Sequence, residues 1–234
     1  MDSKGTGLTL MLGVVVAVIG YFLWQNVIGF ETKVDDVGTI LQNAAAGSVE
    51  MKFAAILIAV GLAIHGAGLL STRGTAPGTS ESLGIFCIIT AILIWIITTS
   101  LGLAMVEMGE KYVAFLPGAQ VGDPLASFSV VSIQVAGGFI QSATVAANTL
   151  ASLLAGIGWV FVGCAYRGSN FKGAISFLPL GWLAMTLGLV LVVVVLVINP
   201  LVSIEGGNQI GSVSFLLIVL WSVSAGLKFM KSSK

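Results

Sequence analysis

Charge is distributed along this chain in a way that leaves few folds open. Six stretches, at 5–30, 53–72, 82–106, 124–166, 173–204 and 206–227, contain no Asp, Glu, Lys or Arg. A helix needs about 20 apolar residues to cross the hydrocarbon core of a bilayer, and each stretch is long enough. Of the 234 residues, 57% are hydrophobic and only 9% charged, where a soluble domain carries about 25% charged residues. A water-soluble exterior cannot be built from so few polar side chains. The expected fold is therefore an all-α integral membrane protein. It is a single polytopic domain over 1–234, with six spans near 8–29, 51–71, 83–106, 148–166, 177–198 and 210–229.

The N-terminal stretch has one basic residue before it, Lys4, and its uncharged run is longer than the apolar core of a secretory signal. It is expected to stay as the first span. Orientation follows from lysine and arginine, which favour the cytoplasmic side. With the N-terminus inside, the inner segments hold Lys4, Arg73, Arg167, Lys172, Lys228, Lys231 and Lys234, and the outer ones only Lys33, Lys52 and Lys111. Both termini are expected in the cytoplasm, in a cell (inner or plasma) membrane. Tyr21, Phe22 and Trp24 at one end of the first span, and Trp159, Phe161 and Tyr166 at the end of the fourth, suit the headgroup level, where amphipathic rings collect. Trp95 falls mid-span and reads as a packing residue.

The stretch 124–166 is too long for one crossing. Its 43 residues would make a helix about 65 Å long, twice the hydrocarbon thickness. A break at Gly137-Gly138 is expected, with 127–147 forming an additional outer-face or re-entrant helical segment before the fourth span. A re-entrant backbone would need protein or water around it.

Alanine recurs every fourth residue in two spans, as Ala55, Ala59, Ala63 and Ala67, and as Ala143, Ala147, Ala151 and Ala155. Small side chains let helix backbones approach in lipid, so these rows read as helix-packing seams, within the chain or between subunits. Residues 38–44 also resemble 137–143, and Arg73-Gly74 then falls near Arg167-Gly168, the pattern of a duplicated hairpin.

Signs of chemistry are few. His65 is the only histidine, so three or four metal ligands cannot be assembled around it, and no metal or other cofactor is expected. Cys87 and Cys164 lie in apolar runs and read as small buried residues. There is no phosphate-binding loop, dinucleotide fingerprint, CxxC or HExxH, and no triad in plausible context. The chain is expected not to be an enzyme. Net charge is zero and the basic residues form no patch, so nucleic acid is not a partner. His65, Gln141 and Asn148 remain as a polar pathway within the spans, where ionisable and amide groups are functional candidates.

Two readings of function result. The first is a non-catalytic integral membrane subunit that scaffolds or stabilises a larger membrane complex or a homo-oligomer. Its partners are the lipid bilayer and other membrane subunits or copies of itself. The alternative is a channel or transporter for a small solute, with its site at the broken fourth segment.

Overall fold

The computed structural model describes residues 3–76, 78–167 and 179–231. These are helical, with no strand among them. The helices are α1 Ser3–Ile28, α2 Val37–Ala46, α3 Ser48–Ser71, α4 Thr79–Gln120, α5 Pro124–Tyr166, α6 Leu180–Val193, α7 Asn199–Leu201 and α8 Ile204–Lys231. A π-helical turn, Val194–Ile198, joins α6 to α7. Six helical segments are long and apolar enough to cross a membrane: Ser3–Ile28, Ser48–Ser71, Thr79–Gln120, Pro124–Tyr166, Leu180–Leu201 and Val213–Lys231. The membrane character read from the sequence is thus present. Lys172, Gly168 and the first residues of the expected span 177–198 lie outside the described residues.

Two helices differ from expectation. The third span was expected to end at Val106, yet α4 runs on through Glu107, Glu110 and Lys111 to Gln120. A charged side chain ends a hydrophobic run without interrupting backbone hydrogen bonds, and Glu and Lys are good helix formers. The fourth span was expected to be separate from 127–147. Instead α5 is one helix of 43 residues, continuous through Gly137-Gly138. Gly137 is buried where α5 packs on α2, and a Cβ there would lie 3.1 Å from the Val37 side chain. Those glycines permit close approach rather than a break.

The chain divides into two compact units. The first comprises Met1–Val18, Val60–Trp95 and Thr149–Lys234, and the second Ile19–Ala59 and Ile96–Asn148. In the first unit, glycines set the helix contacts. A methyl group on Gly13 of α1 would fall 2.2 Å from the backbone nitrogen of His65 on α3, and one on Gly61 2.3 Å from that of Ala17. Gly84 of α4 and Gly158 of α5 face each other in the same way, each 2.7 Å from the other's carbonyl oxygen when given a Cβ. With no water to drive helix association in lipid, such close packing supplies the attraction. Ser3 donates its hydroxyl to the Phe229 carbonyl at 3.0 Å, so α1 begins where α8 ends.

An aromatic cluster fills one end of this unit. Trp159 meets Trp221 edge-on at 4.8 Å between centroids, and Tyr166 stacks parallel to Trp221 at 6.2 Å. Trp159 and Tyr166, expected at the headgroups, are buried core residues here. Trp95 packs on Phe215 at 5.8 Å between centroids, as a packing residue should.

In the second unit, α2 is capped by Asp36, which accepts the Thr39 N–H at 3.1 Å. That bond and the Thr39 hydroxyl hold the Asp36 carboxyl below the usual carboxylate range. Ile40 and Leu41 of α2 pack with Met105 and Tyr112 of α4 and Val130 of α5. Trp24 of α1 joins a neighbouring cluster around Ala44, Met51 and Val106.

Candidate functional site

The second unit contains the most unusual surface, a hairpin made of the end of α4 and the start of α5. Its turn follows directly from Gly122, Asp123 and Pro124. Gly122 sits at a φ of +83°, where a side chain would be strained. The Asp123 N–H reaches the Gly118 carbonyl at 3.0 Å and the Gly122 N–H reaches that of Ala119 at 3.1 Å, which closes α4 in a Schellman motif. Asp123 then caps α5 by accepting the Leu125 N–H at 2.9 Å, with Pro124 as the first helical residue, where its missing N–H costs nothing.

A charged level marks where the hairpin begins. Lys52 of α3 bridges Glu107 at 3.2 Å and Glu110 at 3.1 Å on α4. These side chains are substantially exposed, so the bridges add little stability. Beyond Glu107, α4 continues for 13 residues to Gln120, about 20 Å of helix. The returning arm of α5 holds level with it: Gln134 donates its amide to the Tyr112 hydroxyl at 3.0 Å, and Thr98 donates to the Asn148 side-chain oxygen at 3.1 Å.

The hairpin is apolar on its outside as well as its inside. Leu125, Phe128, Val131, Val135 and Phe139 are 57 to 77% exposed along α5. Asp123 is the single charged residue between Tyr112 and Asn148. An exposed apolar row of this extent marks an interaction surface when it faces water.

The expected site residues fall in different places. Ala55, Ala151 and Ala155 are buried, Ala59, Ala143 and Ala147 half-buried, and Ala63 and Ala67 exposed. A spacing of four advances about 40° per step on a helix of 3.6 residues per turn, so each row winds away from any single neighbour. Asn148 is held by Thr98, and Gln141 is half-buried on α5. His65 is buried in the first unit, where Nδ1 donates to the Leu10 carbonyl at 3.2 Å. Its Nε2 is buried with no hydrogen-bond partner among the described residues. His65 is thus in the first unit, and Gln141 and Asn148 in the second.

One buried group escaped the reading of the sequence. Glu81, at the start of α4, is 1% exposed. It accepts the Gly74 N–H at 2.6 Å, the Ala76 N–H at 3.3 Å and the Tyr166 hydroxyl at 2.5 Å. The carboxylate fastens the turn after α3 to the last turn of α5. Tyr166 stacks on Trp221, whose Nε1 donates to the Leu180 carbonyl at 3.1 Å, so the clamp extends to α6 and α8. In sequence Glu81 is one acid beside a basic turn, and only Gly74, Thr75 and Gly78 nearby hinted at a loop able to fold over it.

No protein-family model, curated protein or solved structure matches this chain.

Proposed function

We propose that the protein is a non-catalytic integral membrane subunit that stabilises a larger membrane assembly or a homo-oligomer. The exposed apolar face of the α4–α5 hairpin carries this reading. Charged residues within a crossing are expensive, so Lys52, Glu107, Glu110 and Lys111 belong at the edge of the bilayer. About 20 Å of hairpin then stands clear of the membrane on the outer side. Its apolar row would meet water unless another protein covers it, and burying each large side chain is worth about 1.5–3 kcal/mol. Both termini are cytoplasmic in this arrangement, in accord with the lysine and arginine count.

The transporter reading drew on a break at Gly137-Gly138, and α5 is continuous there, so the subunit reading is preferred. The test is co-purification in mild detergent. The wild-type chain should elute with partners at fixed stoichiometry, and Phe128→Asp combined with Val135→Asp should release it while its helical content stays unchanged. A wild-type chain that is monomeric and stable alone, with solute flux in liposomes that falls on Gln141→Ala or Asn148→Ala, would replace the subunit with a transporter.

A further inference from the structure

We infer that the α5 face of the hairpin pairs with α5 of a second copy of this chain, in parallel, about an axis along the membrane normal. The inference rests on the reading that protein covers this face, and it names the protein.

The spacing of exposed residues is the first support. Leu125, Phe128, Ser132, Val135, Phe139 and Ser142 are all exposed, and so is the next in the series, Ala146. They follow one another at three, four, three, four, three and four. That is the heptad seam through which two helices wind around each other. The row lies on α5 within one compact unit, so a single rigid face presents it.

Symmetry supplies the second support. Two copies inserted the same way in one bilayer can be related by a two-fold axis only along the membrane normal. Their α5 helices then run parallel and each seam residue meets its own copy. The order of side chains suits that geometry. Ser142 and Ala146 form a small-xxx-small pair at the end nearer the membrane, where close backbone approach drives association. Leu125 and Phe128 lie toward the tip, where water drives apolar burial, and the pairing of Gln134 with Tyr112 and of Asn148 with Thr98 sets Phe139 level with Glu107 at the base of the hairpin.

Charge and area agree. A self-pairing face brings each charge against its own kind, and no charged residue occurs from Leu125 to Asn148. The large exposed side chains of the row offer on the order of 600 Å² of apolar surface, two of them aromatic. With the small seam positions added, this approaches the ~800 Å² per partner of a standard interface. A partner chosen by charge has nothing to recognise here.

The test uses single cysteines in native membranes, in a full-length background with Cys87 and Cys164 replaced by alanine. Phe128→Cys, Val135→Cys and Phe139→Cys should each cross-link with a short bis-maleimide to a species of twice the chain mass. Val113→Cys, exposed on α4, should give at least tenfold less. Two differently tagged copies should also co-purify, and Phe128→Asp with Val135→Asp should abolish this. Cross-links from the same three positions to a different polypeptide would overturn self-pairing and leave the subunit reading standing. No cross-link to any protein would overturn both.

Discussion

Glu81 shows how much a single side chain can organise. An exposed acid next to Arg73 would be interchangeable with many others, but this carboxylate holds two loop amides and a tyrosine hydroxyl while buried. Glu81→Ala should leave the Gly74 and Ala76 N–H groups without their acceptor, at a cost of about 1–3 kcal/mol. Faster hydrogen exchange at those two amides, with little change at α2, is the expected readout; unchanged exchange would show that the clamp holds nothing. The small residues separate in the same way. Gly158→Leu drives a side chain against the backbone of Gly84 and should lower thermal stability markedly. Ala63→Leu adds bulk to an exposed position and should leave the fold of the single chain intact, despite the alanine row that contains it. A melting comparison in detergent distinguishes them, and equal losses would contradict the packing described. Burial of Glu81 was not legible in the sequence, because it depends on Tyr166, 85 residues away. The mutual glycine contacts were equally hidden, since glycine is abundant throughout and only the helix crossings show which ones touch.

At the scale of elements, the sequence was most informative where charges bound a run of ordinary length. Helices α1 and α3 begin within five residues and end within one residue of the first two expected spans, because a 20-residue apolar run favours one continuous helix. It was least informative where a helix outlasts its uncharged run. Glu107 marked an exit for the run but not a stop for α4, and Gly137-Gly138 marked a contact with α2 rather than a break in α5. The real stop signals were Gly122 and Asp123 at the tip. Gly122→Ala forces a side chain into a left-handed conformation, and Asp123→Ala removes a cap worth about 1 kcal/mol. Each should fray the tip, seen as faster exchange at Leu125 and Ala126, with the remaining helices unaffected. The cap of α2 adds a pH dependence. The Asp36 carboxyl titrates below its ordinary value in the folded chain. Its contribution is present above the ordinary carboxylate range and is lost as pH falls through the lowered folded value. Exchange at the Thr39 amide should rise across that acidic window, and Asp36→Ala should show the faster rate already at neutral pH.

For the whole molecule, the hydrophobic excess has two destinations. Most of it lies on helices of spanning length. The rest lies on a hairpin that extends beyond the charged level of Lys52, Glu107 and Glu110 and is apolar on its exposed face. Lipid suits the first, and the proposed function assigns the second to another protein, so assembly is what the tests address. Composition alone announced the membrane, but it could not announce the hairpin, because the same residues fit equally well within a further span or a surface segment. The most direct test is native mass spectrometry of the protein extracted from its own membrane in mild detergent. The account expects a mass containing at least two copies of the 24.1 kDa chain, reduced to one copy by Phe128→Asp with Val135→Asp. A single unaccompanied chain in the wild type, stable under the same conditions, would contradict it.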